Sequence, residues 1–185
     1  MSFANWDIKS EVHQGGWTLF LDRDGVINRR IVDDYVKNWN DFEFLPGVLD
    51  SFTVFARYFK RIFIVTNQQG IGKGLMTKED LALVHRKMKA EIETMGVQID
   101  AIYYCPSLAA DQSPRRKPNP GMALQAQSEF PDIELKKSIM VGDSPSDIEF
   151  GINAGMHTVF IGRRELNLPA DARFDSLAEF ARSLT

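Results

Sequence analysis

Asp22 and Asp24 stand one residue apart at the end of Trp17-Thr18-Leu19-Phe20-Leu21, with Gly25 behind them. Two carboxylates that close repel each other unless a cation, or a proton shared with a substrate, offsets their charge. Farther along, Thr66-Asn67 and Asp143-Ser144-Pro145-Ser146-Asp147 each follow an apolar run, and Lys117 lies in a proline-rich stretch. Three carboxylates offering only oxygen suit a hard divalent cation, Mg²⁺ foremost, which keeps waters and binds phosphate oxygens. With such an ion, one carboxylate can attack phosphorus to form an aspartyl-phosphate, while a second protonates the leaving alkoxide and then deprotonates water. Thr66 and Lys117 can hold the equatorial phosphoryl oxygens as charge builds on them. Each residue also has a plainer reading: Asp22 to Gly25 as a turn, Thr66 as a cap, Lys117 as a solvated charge, Asp143 and Asp147 as helix openers. The joint occurrence of all six, in order, favours the chemistry.

The elements that must position them follow from the pattern of apolar residues. Short apolar runs rich in branched and aromatic residues read as strands buried on both faces. These runs are Trp17 to Leu21, Ile62 to Val65, Ile99 to Cys105, Ser138 to Gly142 and Thr158 to Ile161. Between them, helices are expected from Pro46-Gly47 to about Tyr58 and from a Thr77/Asp80 capping box to about Met95. Others run from Pro120 or Gly121 to about Phe130, from Ile148 to Ala154, and onward from about Ser176. Strands alternating with helices predict an α/β fold, a Rossmann-like parallel sheet flanked by helices on both faces. Such sheets present their ligand crevice at the carboxyl ends of the strands, where all six residues would then meet. Gly25 to Leu45 is expected to be a loop with a short hairpin lying over the first strand's end, and Gly70 to Gly74 a flexible turn. His85 falls inside a predicted helix, where a packed or solvated histidine is expected rather than a ligand.

Composition narrows the class. The chain has 185 residues, 44% of them hydrophobic, enough for one domain with a full core. Residues 1–16 are read as an N-terminal extension with Trp6 as its one large anchor, draped over the surface or partly mobile, and residues 17–185 as the single domain. A net charge of -3 argues against a nucleic-acid partner, and one cysteine excludes an internal disulfide. No apolar stretch approaches the ~20 residues of a membrane span, and Asp7, Lys9, Glu11 and His13 stand where a leader would be apolar. A monomer in the cytoplasm, acting on a small-molecule substrate, is expected.

Asp22-Arg23-Asp24-Gly25-Val26, Thr66-Asn67, Lys117-Pro118 and Gly142-Asp143-Ser144-Pro145-Ser146-Asp147 resemble the four motifs of the haloacid dehalogenase (HAD) superfamily of phosphohydrolases. Asn67-Gln68-Gln69-Gly70-Ile71 and Arg116-Lys117-Pro118-Asn119-Pro120-Gly121-Met122 are similar to its branch of heptose-bisphosphate and histidinol-phosphate phosphatases. The resemblance spans Leu19 to Ile161. It implies Asp22 as nucleophile and Asp24 as general acid and base. It further implies Mg²⁺ held by the carboxylates of Asp22 and Asp143 and the backbone carbonyl of Asp24, with Asp147 acting from behind them. Thr66 and Lys117 would stabilise the phosphoryl group, and Asn67, Gln69, Arg116, Tyr35 and Ser144 would contact substrate. The branch lacks a large cap domain, in keeping with the short chain.

The implied activity is therefore Mg²⁺-dependent hydrolysis of a small phosphomonoester, a sugar phosphate such as a heptose bisphosphate in first place. Arg29, Arg30, Lys73, Arg115 and Arg116 suit a polyanionic substrate. Histidinol phosphate is the alternative, its ammonium met by Asp33, Asp34 or Asp111, and a non-catalytic binding protein of the same fold is the other. The chain departs from the branch in one place. The branch's zinc loop has the pattern Cys-x-His followed by Cys-x-Cys, but here Cys105 is followed by Ser107, Ser113 and Arg115. One thiolate cannot close a four-ligand structural zinc site, so no zinc is expected. The loop Pro106 to Pro114 is then held by proline and hydrogen bonding alone, and is expected to be more mobile.

Overall fold

A computed structural model describes residues 6–185. In chain order its elements are α1 (Ile8–His13), β1 (Trp17–Leu21), α2 (Val48–Tyr58), β2 (Phe59–Asn67), α3 (Gln69–Gly72), α4 (Lys78–Glu93) and β3 (Ala101–Cys105). They continue with α5 (Gly121–Glu129), β4 (Ser138–Gly142), α6 (Pro145–Ala154), β5 (His157–Ile161), β6 (Ala172–Phe174) and α7 (Leu177–Ser183). The strands form one sheet in the order β3-β2-β1-β4-β5-β6, and every neighbouring pair is parallel. Chain order reverses direction between β1 and β4, which is where a parallel α/β sheet opens its crevice.

All five residues of β1 are buried, because the strand lies mid-sheet with helices on both faces. Leu19 and Leu21 point into a layer built with Phe52 and Phe55 of α2, Val84 and Met88 of α4, and Phe180 of α7. Phe20 points the other way, onto Phe63, Met140, Met122 and Ala126 of α5, and Phe150 of α6. This alternation makes a slip of one residue in β1 impossible without exchanging the two cores, and so fixes where Asp22 emerges. Cutting Phe20 to Ala in such a layer costs about 3–5 kcal/mol.

Several local expectations need correcting. The segment before β1 contains a helix whose Ile8 and Val12 are buried, while Trp6 stacks on His157 with ring centroids 4.2 Å apart. Gln69 to Gly72 is a helical turn where glycine content predicted a flexible one. Helix α6 begins at Pro145, three residues before Ile148, because Ser144 and Asp147 form a capping box ahead of the apolar stretch. The short edge strand β6 is not legible, since Ala172 and Phe174 are only partly buried, Arg173 between them is exposed, and the three make no apolar run. The loop after β1 does fold back on itself: Asn28 bridges antiparallel to Phe44, and Arg29 N donates to Glu43 O at 2.8 Å. Among the described residues no helix is long and apolar enough to cross a membrane.

Candidate active site

Two glycines let the ends of β1 and β4 meet. Gly25 turns the chain away at φ +94°, and a Cβ there would fall 2.1 Å from Asp143 Oδ2. A Cβ on Gly142 would fall 2.0 Å from the Cβ of Asp147. Only glycine leaves room for both carboxylates at the crevice. Asp22 follows directly on β1, its N–H donating to Val141 O at 2.9 Å, so it shares the edge with Asp143. Asp22, Asp143 and Asp147 bring carboxylate oxygens within 4.8 Å of one another.

Lys117 arrives from the loop between β3 and α5 and is almost wholly buried. Its Nζ donates to Asp22 Oδ1 at 2.8 Å and to Val65 O at 2.8 Å, and lies 2.6 Å from Asp147 Oδ1. Burial disfavours the ammonium, but Asp147 and Asp22 outweigh it and hold the Lys117 pKa above its ordinary value. Its backbone is clamped by one side chain: Asn67 Nδ2 donates to Lys117 O and Lys117 N donates to Asn67 Oδ1, each at 3.0 Å. Asn67, expected against substrate, thus also positions the lysine.

Asp24 sits in a cage of donors. Arg23 Nη2 donates to both of its oxygens at 2.8 Å, Asn28 Nδ2 to Oδ1 at 3.0 Å and Gln68 Nε2 to Oδ2 at 2.8 Å. Burial pushes the carboxyl up, yet the Arg23 guanidinium and these amides hold it below the usual carboxylate range. Arg23 is itself fully buried, its Nη1 3.1 Å from His85 Nε2. Burial first, then Arg23, pushes the pKa of His85 down to about 3, so the imidazole stays neutral and accepts from Arg23. Gln68 also donates to Thr66 Oγ1 at 2.9 Å, which leaves the Thr66 hydroxyl proton free for another acceptor.

Asp22 and Asp143 show the opposite shift. Burial first, then the Asp147 carboxylate, pushes Asp22 up to about 6 against the pull of Lys117. Burial and Asp22 push Asp143 up to about 7 against the pull of Arg30. Arg30 Nη2 lies 2.6 Å from Asp143 Oδ1, 3.0 Å from Asp24 O and 3.9 Å from Asp22 Oδ2. Three hard oxygens therefore already surround one cationic point, and that donor set fits Mg²⁺.

One cavity of about 440 Å³ collects nearly all of the expected residues. Asp22, Asp24, Thr66, Asn67, Gln69, Lys117, Tyr35, Ser144 and Asp147 line it, together with Arg30, Asp33, Asp34 and Lys73. Asp143 does not; it borders a larger cavity of about 790 Å³ between α2 and α7. Arg116 lies in an adjoining recess with Asn67 and Lys117, and reaches Gln69 Oε1 at 3.4 Å. Ser144 Oγ donates to Asp147 Oδ2 at 2.6 Å, so the expected substrate contact is in part a cap. One oxygen of Asp147 caps α6 and the other faces Lys117. Of the basic residues expected at the mouth, Arg30 and Lys73 line the cavity, whereas Arg29 pairs with Glu43. Asp33 and Asp34 also line it; Asp111 instead caps its own turn at Leu108 N.

A HAD-hydrolase-like family model matches residues 114–178. D-glycero-alpha-D-manno-heptose-1,7-bisphosphate 7-phosphatase of Mycobacterium tuberculosis is 44% identical over 170 residues, covering 89% of this chain and 90% of that one. The chain belongs to the haloacid dehalogenase superfamily, in the heptose-bisphosphate phosphatase branch. The phosphatase of the same name from Campylobacter jejuni is 40% identical over 80% of this chain and 83% of its own. A crystal structure of D,D-heptose 1,7-bisphosphate phosphatase from B. bronchiseptica, complexed with magnesium and phosphate, aligns with TM-score 0.82 and 30% identity. It covers 91% of this chain and 97% of its own. This HAD chain is a phosphatase, and its parallel sheet is that of the superfamily.

Within the HAD frame, sequence reasoning missed the residues that govern Asp24. Spacing gives Arg23 a place in a motif and His85 a packed or solvated position on a helix, yet together with Gln68 and Asn28 they fix the carboxylate. Arg23 stands between two acids, where a solvated charge is the ordinary reading, so no local signal marks its burial. In the loop that follows β3, Cys105 Sγ lies 3.7 Å from Ser113 Oγ and Arg115 reaches Tyr104 O at 3.4 Å. Asn119 Nδ2 donates to Ser113 O at 2.9 Å and Arg116 Nη1 to Ser107 O at 3.0 Å. One thiol, two hydroxyls and a guanidinium do not fit zinc.

Proposed function

We propose that this phosphatase removes the 7-phosphate of D-glycero-α-D-manno-heptose 1,7-bisphosphate through an aspartyl-phosphate on Asp22. The observation that carries the chemistry is the contact of Lys117 Nζ with Asp22 Oδ1 beside Asp24 and Thr66 in one cavity. The relatives named for that sugar, at 44% and 40% identity, support the substrate. The cavity volume suits a small metabolite.

Asp22 forms a bond to phosphorus as the ester P–O bond breaks, and the electron pair passes to the departing sugar oxygen. Asp24 gives that oxygen its proton. In its resting geometry Asp24 accepts four hydrogen bonds and cannot donate, so it takes up a proton and turns away from Arg23 first. Water then attacks the aspartyl-phosphate, Asp24 takes the water's proton, and inorganic phosphate leaves with the Asp22 carboxylate restored. Lys117 and the Thr66 hydroxyl donate to the equatorial oxygens throughout. The carboxylates of Asp22 and Asp143 and the carbonyl of Asp24 would hold Mg²⁺, which when bound neutralises charge on the phosphoryl oxygens. Asp147 holds Lys117 in place from behind.

The same reading has no zinc in the loop 106–114, and has the enzyme working as a cytoplasmic monomer. In support of the monomer, the exposed large apolar residues Val32, Leu75, Leu83, Leu124 and Ile152 lie on separate segments.

Phosphate release with Mg²⁺ tests the assignment, using the α and β anomers of the heptose bisphosphate, histidinol phosphate and p-nitrophenyl phosphate. The highest kcat/KM is expected for the α anomer. A preference for histidinol phosphate would overturn the substrate. Equal turnover by wild type and Asp22→Asn would overturn the chemistry.

A further inference from the structure

The position among Asp22, Asp24 and Asp143 is held by a residue of the chain itself. Arg30 comes from the loop after β1, and one of its nitrogens meets Asp143 Oδ1 at 2.6 Å, Asp24 O at 3.0 Å and Asp22 Oδ2 at 3.9 Å. These are the three groups assigned above to the cation. A guanidinium nitrogen this close to Asp143 and a divalent ion on the same oxygens exclude each other by size alone.

Charge makes the exclusion consequential. Asp22, Asp143 and Asp147 bring three carboxylates together against the one ammonium of Lys117, leaving two negative charges to be met. Arg30 meets one of them, and a divalent ion meets both. Arginine stays charged under all ordinary conditions, so it leaves the carboxylates by moving and not by losing its proton. It has the freedom to move. Its side chain is 37% exposed, its backbone belongs to a loop and not to the sheet, and it already lines the 440 Å³ cavity into which it would turn. Ile31, Asp33, Asp34, Tyr35 and Val36 of the same loop line that cavity too.

We infer that Arg30 is a tethered competitor of the metal: its guanidinium occupies the cation position, Mg²⁺ enters only by displacing it, and the displaced guanidinium turns into the substrate cavity. The inference rests on the assignment of Asp22, Asp24 and Asp143 as the cation site. A ligand displaced from one site toward another couples the two, so metal affinity and anion affinity are linked reciprocally.

Calorimetric titration of Mg²⁺ into EDTA-stripped, dialysed protein tests this without turnover, comparing wild type, Arg30→Gln and Asp143→Asn, with melting temperatures recorded in EDTA and in saturating Mg²⁺. Loss of the charge-assisted bonds of the competitor is expected to tighten Mg²⁺ binding about tenfold in Arg30→Gln. Its melting temperature should fall in EDTA and match wild type in saturating Mg²⁺. Binding by Arg30→Gln that equals or is weaker than wild type, while Asp143→Asn loses the ion, would overturn the competition and leave the cation site standing. Wild type and Asp143→Asn binding Mg²⁺ alike, or not at all, would remove the site and the inference with it.

Discussion

Lys117 Nζ and Asp22 Oδ1 lie 2.8 Å apart across 95 residues of chain, both almost wholly buried. Asp147 lies 2.6 Å from the same ammonium, so the lysine offsets the repulsion of a buried pair of acids. Lys117→Ala would leave those acids unpaired, at a cost of about 3–5 kcal/mol. A lower melting temperature, and kcat reduced by about 10²-fold or more in the folded fraction, are the expected outcomes. Thermal unfolding and phosphate-release kinetics on the same preparation check both.

The donors around Asp24 separate its two duties. Asp24→Asn replaces one accepting oxygen with an amide donor that faces Arg23 and either Asn28 or Gln68, and it can neither give nor take a proton, so hydrolysis of a sugar phosphate should fall by about 10²–10⁴-fold. An aryl phosphate, whose leaving oxygen needs no protonation, should suffer much less in the first step. The ratio of kcat values for the two substrates, wild type beside variant, measures this difference.

Stability without metal should depend on pH through Asp143. Its pKa rises from 3.8 to about 7 in the fold, so the folded protein binds the extra proton. That contribution is fully present below 3.8 and is lost as pH rises through 7. Asp143→Asn imitates the protonated form. In EDTA it should melt close to wild type near pH 4 and several degrees above it at pH 8. In Mg²⁺ the sign should reverse at pH 8, because the ion needs the charge. Melting curves across pH, with and without the ion, test this.

Gly142 and Gly25 hold space for carboxylates, and a methyl group at either must move one. Gly142→Ala brings its Cβ to 2.0 Å from that of Asp147, with an overpacking cost of about 1–3 kcal/mol. Activity should fall further than stability, since Asp147 is pushed off Lys117. Gly25→Ala adds a strained φ of +94° to a contact of 2.1 Å with Asp143 and should weaken Mg²⁺ binding. Calorimetric titration of the ion distinguishes the second variant from a merely unstable one.

The N-terminal segment shows where local reading reaches its limit. Its polar residues outnumber Ile8 and Val12, and nothing within Asp7 to Gln14 says that those two are covered. They are buried in the same core as Phe180, from the far end of the chain, and His13 Nε2 lies 2.8 Å from Leu184 O. Burial of this kind comes from long-range neighbours, to which a short window is blind.

By itself the sequence determined the alternation of strands and helices and the edge at which Asp22, Asp24, Thr66 and Asp143 emerge. An apolar run fixes a buried strand, and period two fixes the face of each side chain. Only the tertiary structure decided which group meets which: His85 with Arg23, Asn67 with the backbone of Lys117, Arg30 with the oxygens assigned to the cation. Those pairings depend on strand order and on where a long loop folds back, and electrostatic partners acting through space leave no spacing in the chain.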